Sequence, residues 1–267
     1  MIDIAKEEYR DCCVIIRGLP TDYMTQTIKE LRKTYDGEII YSTWEGTVVP
    51  ELKGVEIVLS KDPQHSPIQS IKRVMMSVMS ALKETEKKKI FVIRSDVPFV
   101  TPPFHLYKEG KVCFSSIMSL PMSGFCSNAG KFGGGKNMMS REHTRFNREW
   151  FCRFGDLFHL GSKRDMIKLF SYFTKEQEEY FLRALPRCTE QWMFYKYMTE
   201  KVGYASTVEN FPKFEYDKFI VENVEILNLS DISGKFSIGC EQKYDYQYYD
   251  KSCHFEYKNR FNNLEIK

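Results

Sequence analysis

Arg94 and Asp96 stand one residue apart at the end of Lys89-Ile90-Phe91-Val92-Ile93, an apolar run that stops abruptly at this charged pair. A carboxylate in that place has two readings. It can cap the following turn, as strand-end acids commonly do. It can also coordinate a divalent cation, magnesium or manganese, that bridges the oxygens of a diphosphate, because hard cations favour carboxylate and phosphate ligands. Position alone leaves the two side by side. A second group is Gly130-Lys131-Phe132-Gly133-Gly134-Gly135-Lys136-Asn137, whose spacing copies a phosphate-binding loop. Asn137 stands where the magnesium-binding hydroxyl belongs, and residues 122–128 in front of it make a poor buried strand. A flexible loop is therefore expected, whose amides, with Lys131 or Lys136, can touch a diphosphate as it closes. Zinc is disfavoured, since the sequence holds no Cys-x-x-Cys or His-x-x-x-His pair,.

A strand must position Arg94 and Asp96. Four apolar residues between a lysine cluster and a turn read as a buried, parallel strand, and its carboxyl end is where ligands bind in open α/β sheets. The segments before it alternate in the same sense. Residues 13–16 form a short apolar strand ended by Arg17-Gly18-Leu19-Pro20, after which Thr21 or Asp22 can cap a helix to about residue 34, with Met24, Ile28 and Leu31 as its apolar stripe,. Residues 38–43, entered through the turn pair Asp36-Gly37, are a second strand. Residues 55–60 are a third, ending at Lys61-Asp62-Pro63. A helix over about 67–86 carries Ile68, Ile71, Val74, Met75, Val78, Met79 and Leu82 at helical spacing,. This is the order of a doubly wound nucleotide-binding half. The loops bearing Arg17, Trp44-Glu45, Asp62 and Arg94-Ser95-Asp96 are expected to converge on one cleft.

Residues 97–150 are rich in Pro, Ser, Met and Gly and read as a long loop, a common form for an active-site lid. Beyond them, residues 150–154 read as a strand, Phe158-His159-Leu160-Gly161 as apolar, and residues 163–173, 175–185 and 190–201 as helices. Short strands follow at 219–221, 224–227 and 236–238. The whole reads as a single domain over 1–267. Its nucleotide half is about 10–100, its flexible loop about 120–145, its second half about 146–230, and 231–267 forms C-terminal strands and a tail.

Composition sets the remaining bounds. Hydrophobic residues are 42% and charged residues 28% of 267, which suits a globular protein with a sizeable core,. The 39 basic and 36 acidic residues nearly cancel, so no global field gathers nucleic acid,. Eight cysteines without regular spacing, and no leader in front of them, read as reduced thiols of a cytoplasmic protein,. No segment approaches the ~20 apolar residues needed to span a bilayer. Membrane contact is expected to be peripheral at most, with residues 255–260 as a weak hint.

Thr43-Trp44-Glu45-Gly46 after a strand, Leu59-Ser60-Lys61-Asp62-Pro63, Arg73 within a helix, Ile93-Arg94-Ser95-Asp96, Phe154-Gly155-Asp156-Leu157-Phe158-His159-Leu160-Gly161 and Thr189-Glu190-Gln191-Trp192 occur in that order. In this series the chain resembles the WavE lipopolysaccharide-synthesis family, glycosyltransferases with a GT-A-like fold, over roughly residues 12–230. It departs from that family at Arg17-Gly18, where relatives tend to have Gln-Gly. The resemblance implies an α/β, Rossmann-like sheet, mixed but mostly parallel and flanked by helices. It implies transfer of a sugar from a nucleotide-diphosphate donor to a glycan or glycolipid acceptor. Arg17, Gly18, Thr43, Trp44, Glu45, Asp62, Arg73, Arg94, Ser95 and Asp96 would lie at the donor, with Asp96 as the metal ligand. The leaving diphosphate must be neutralised by that metal or by arginines, for which Arg17, Arg73 and Arg94 are candidates. An inverting transferase needs a carboxylate to take the acceptor's proton. Glu190, at a helix start, is favoured for that role over Asp156, which with His159 and Trp192 is assigned to the acceptor. A sugar nucleotidyltransferase and a non-catalytic glycan-binding protein are the alternatives.

Overall fold

The computed structural model describes residues 9–63, 69–97, 99, 101–115, 155–184, 189–202, 219 and 222–227. Its first strand, β1 (Cys12–Arg17), is buried along its whole length. Such a strand has to be covered on both faces, which is what crossover helices do in parallel sheets. The chain leaves β1 through Gly18 and enters α1 (Asp22–Thr34), where the Thr21 hydroxyl accepts from the Met24 amide at 3.1 Å as the cap,. Met24, Ile28 and Leu31 are buried, the stripe expected from their spacing. Then come β2 (Glu38–Trp44), β3 (Glu56–Ser60), α2 (Gln69–Glu84) and β4 (Lys89–Arg94). These four strands are parallel in the order β3-β2-β1-β4. The chain winds outward from β1 to β3, then returns across β1 to lay β4 on its other side. The reversal falls between β1 and β4, the place at whose carboxyl edge open α/β sheets bind their ligands,.

The same sheet continues as β4-β6-β5-β7, with β5 (Val112–Ser115), β6 (Gly155–Ser162) and β7 (Val224–Leu227). β6 runs antiparallel to β4 and to β5, whereas β5 and β7 are parallel. Among the seven described strands β6 alone is reversed. The architecture is α/β and Rossmann-like, a mixed and mostly parallel sheet flanked by helices. One face is closed by α2, α3 (Lys163–Phe170) and α5 (Thr189–Val202), through Ile71, Met75, Val78, Met166, Leu169, Met193, Phe194 and Tyr197. The other is closed by α1 and an aromatic group in which Phe91 meets Phe99 edge-on at 5.0 Å. A fifth helix, α4 (Lys175–Ala184), precedes α5, and Glu178 on it pairs with Lys72 of α2 at 2.9 Å. No helix among the described residues is long and apolar enough to cross a membrane.

Three expectations are corrected here. Residues 97–150 are not loop throughout, because Val112–Ser115 is a strand with every residue buried and Phe104–Leu106 is a turn of 3-10 helix. A strand of this length buried on both faces shows no alternation for pattern reading to find. Asp156, two residues past the strand expected at 150–154, is the second residue of a longer strand, β6, that runs on to Ser162. The third helix stops at Phe170, where the Ser171 amide bonds the Ile167 carbonyl and the backbone turns extended. The expected strands at 150–154 and 236–238, the glycine run 130–137 and Ile68 lie outside the described residues.

Candidate functional site

Parallel strands end at one edge, so β1 to β4 deliver Arg17, Trp44-Glu45, Asp62 and Arg94-Ser95-Asp96 to the same rim of the sheet, as expected from the sequence. The innermost pair is set by register: Arg17 lies opposite Arg94 at the last rung between β1 and β4. Alternation fixes the face. Val14, Ile16, Phe91 and Ile93 belong to the core under α1, and Cys13, Ile15, Ile90 and Val92 to the core under α2, so both arginines stand on the α2 side. Two guanidinium groups on neighbouring strands, about 4.8 Å apart at the backbone, repel each other.

Local bonding holds this end of the sheet rigid. The Ser95 amide donates to the Arg17 carbonyl at 2.8 Å and the Gly18 amide to the Ser42 carbonyl at 3.1 Å, carrying both ladders past the formal strand ends. The Ser95 hydroxyl donates to the Leu19 carbonyl at 2.7 Å. Gly18 has φ +120°, and a Cβ there would lie 2.7 Å from Ser95 Oγ, so only glycine lets the two turns approach this closely,. Two residues not assigned to the site from the sequence complete it. Thr21 donates its hydroxyl to the Ser95 carbonyl at 2.6 Å while capping α1, and the Tyr41 hydroxyl donates to the Gly18 carbonyl at 2.8 Å. Burial raises the Tyr41 phenol above its ordinary range, which keeps it a donor,. The cap signal was present in the sequence for Thr21; nothing local marks Tyr41.

Two of the three acidic candidates of the donor side, Asp96 and Asp62, are engaged by arginines. Asp96 takes Arg94 in a two-pronged bond, Nε to Oδ1 at 2.9 Å and a terminal nitrogen to Oδ2 at 2.7 Å, within a turn closed by the Val97 amide on the Arg94 carbonyl at 3.1 Å. Asp62 takes Arg73 from the first turns of α2 in the same way, at 2.8 Å and 2.5 Å. Its hydrogen bond and charge hold the Arg73 guanidinium above its usual range. Among the described residues no group of three or more His, Cys, Asp or Glu side chains is gathered in a metal-binding cluster.

Thr43 and His159 lie in the core. Thr43 is fully buried in β2. His159 is 2% exposed and sits in the core, its ring edge-on to Phe114 at 5.1 Å and to Phe170 at 5.2 Å. Helices cover both faces of the sheet here, so residues 39–43 of β2 and 157–161 of β6 are all buried, whichever face they take. Trp44 is half-buried and Glu45 exposed at the end of β2.

Backbone placement brings the two carboxylate candidates of the second half toward this rim. Ile93 is paired with Phe158 antiparallel at the last rung between β4 and β6, and Asp156 lies two residues beyond it toward the same edge. Helix α5 runs antiparallel to α3, because Lys196 bonds Ser171 after the end of α3 and Lys201 pairs with Asp165 near its start at 2.7 Å. Phe194 packs on Phe114, one residue from the end of β5, at 5.8 Å. Glu190 is one helical turn earlier, about 6 Å further toward the carboxyl edge. The side chains of Asp156, Glu190 and Trp192 lie outside the described residues.

A cavity of about 660 Å³ lies at the opposite edge, lined by Arg32, Gly37, Glu38, Gly54 and Glu56 among others. Arg32 bridges it, donating to the carbonyls of Tyr35, Gly37 and Gly54, and so ties the end of α1 to the loops around β2. That cavity is a structural seam at the amino ends of the strands, remote from the charged rim. A scan against family models and a search of the curated proteins give no match to this chain.

Proposed function

We propose that the protein is a glycosyltransferase that moves a sugar from a nucleotide-diphosphate donor to a glycan or glycolipid acceptor, working in the cytoplasm with at most peripheral membrane contact. The observation that carries the reading is the Arg17 and Arg94 pair at the point where the strand order reverses, an edge that suits a dianionic leaving group. The likeness of the residue series to the WavE family supports the same chemistry. In this reading Arg94 and Arg17 stabilise the diphosphate, Trp44 and Glu45 border the nucleoside, and Glu190 takes the acceptor's proton with Asp156 beside the acceptor. A sugar nucleotidyltransferase is less well supported, because only Gly18 to Thr21 separate β1 from α1, too short for the glycine-rich basic loop that such enzymes place there.

The test is a panel of nucleotide sugars read by thermal shift and by donor turnover. At least one donor is expected to raise the melting temperature. Glu190→Gln is expected to leave that shift in place and to cut transfer by about 10²–10⁴-fold, the usual worth of a general base. A panel in which no donor shifts the protein refutes the transferase reading and favours a glycan-binding protein; an active Glu190→Gln protein refutes only the choice of base.

A further inference from the structure

Half of the large apolar side chains that stay exposed among the described residues lie on β3 or in the loop that enters it: Val48 at 90%, Ile57 at 42% and Leu59 at 49%. β3 is an edge of the sheet, with β2 as its one neighbour among the described strands. The Glu45 amide donates to the Ser60 carbonyl at 2.9 Å, so Ser60, and with it Val58 and Glu56, turns its main-chain groups toward β2. The intervening Ile57 and Leu59 therefore turn theirs outward. Their side chains take the face of Tyr41 and Thr43, their partners on β2, while Val58 packs against the core under α2. Ile57 and Leu59 thus offer an incoming strand both main-chain groups and apolar side chains, and an edge of that kind is a template for pairing. The opposite edge differs, since Val224 and Leu227 of β7 are 5% and 7% exposed.

We propose that β3 pairs antiparallel with β3 of a second copy of this chain, about a two-fold axis that passes through the sheet at Val58 and joins the two sheets into one. In this register Ile57 lies opposite the partner's Leu59 and exchanges both main-chain bonds with it, twice over by symmetry. Val58 lies opposite the partner's Val58 as a pair without such bonds. Apolar side chains then meet on both faces, and Glu56 lies opposite the partner's Ser60,. The nearest acid to Glu56 across the axis is Asp62, beyond the strand end and forked by Arg73. Charge selects this register. A slip of two residues one way sets the two Glu56 side chains diagonally beside each other on one face. The opposite slip sets Ile57 against the partner's Lys61 and Glu56 against its Asp62,. A slip of one residue mismatches the faces. The strand is therefore complementary to itself, which is what a closed two-fold interface requires. The carboxyl edges of the joined sheets point in opposite directions, so both charged rims stay open. Two strands of 5 residues make an interface at the small end of the specific range, below about 1,200 Å², so the dimer is expected to depend on concentration,.

Sedimentation velocity of the full chain from about 1 to about 100 µM tests the pairing. Wild type is expected to pass from monomer to dimer across that range. Leu59→Pro removes an outward amide that the monomer does not use, a change that edge strands accept, and is expected to stay monomeric at the highest concentration. Leu59→Lys, which sets a charge against the partner's Ile57, is expected to do the same. Melting curves close to that of wild type establish that both variants are folded. Cysteine cross-linking reads the register. Val58→Cys meets its own copy across the axis at a Cα separation of about 4.5 Å, within disulfide reach, and is expected to give a covalent dimer on mild oxidation that wild type and Ile57→Cys do not give. A wild-type chain that is monomeric at about 100 µM, or a dimer that survives both Leu59 variants, overturns the proposal. Cross-linking of Ile57→Cys or Leu59→Cys in preference to Val58→Cys overturns the register and with it the charge argument.

Discussion

Gly18→Ala probes the packing that holds the charged rim. An alanine at φ +120° carries backbone strain of about 1–2 kcal/mol. Its Cβ would fall 2.7 Å from Ser95 Oγ, a distance that forces the hydroxyl away from the Leu19 carbonyl it now bonds at 2.7 Å. That bond is worth about 1–2 kcal/mol when its loss leaves a partly buried carbonyl unsatisfied. Together the substitution should cost about 2–4 kcal/mol, which for a domain of this size lowers the melting temperature by roughly 4–16 °C. The structure separates the two contributions. Ser95 Cβ is 3.7 Å from the same point, an ordinary contact, so Ser95→Ala removes the collision and leaves only the strain. Urea unfolding of wild type, Gly18→Ala, Ser95→Ala and the double variant forms a cycle. Gly18→Ala is expected to cost about 2–4 kcal/mol alone and only about 1–2 kcal/mol in the Ser95→Ala background. An equal cost in both backgrounds, or a cost under about 0.5 kcal/mol in wild type, refutes the close approach of the two turns.

Lys196 is fully buried, bonded to Ser171 and to Glu200 at 3.1 Å, and desolvation lowers its ammonium below the usual range. Because Glu200 is 41% exposed and stays hydrated without it, Lys196→Met should change stability by less than about 1 kcal/mol or raise it, where a loss of about 3 kcal/mol in chemical unfolding would contradict this. Burial pushes the Cys113 thiol up to about 12 from 9.0, so the folded chain keeps a proton that the unfolded chain releases. Its contribution is whole below pH 9.0 and is lost as pH rises through that window, at about 1.4 kcal/mol per unit. Peptide mapping after iodoacetamide treatment at about pH 9 should find Cys113, Cys12 and Cys13 unlabelled until the chain unfolds, and labelling of Cys113 in the folded protein would contradict its burial.

Much of the first half was legible in the sequence because its signals are local. The stripes of α1 and α2, the Asp36-Gly37 turn and the Thr21 cap each depend on residues within a few positions of one another, and each sits where those residues imply. The abrupt stop at Arg94-Ser95-Asp96 likewise marked a strand end before any pairing was known. β5 was missed because a short strand buried on both faces has no period, and Asp156 was misplaced because residues 150–154 carry a similar apolar pattern.

The sequence by itself determined which residues stand at strand ends, and therefore that a group of arginines and aspartates would share one rim. Only the tertiary structure decided how they combine. Pairing of β4 beside β1 is a long-range choice that no window reveals, and it is what sets Arg17 against Arg94. It also decided that Asp96 faces Arg94 and Asp62 faces Arg73. Thr43 and His159, polar and suggestive in sequence, lie in the core because helices and loops cover both faces of the sheet at those strands,. Local patterns encode periodicity and caps; the partners of a charge are set by which strands meet.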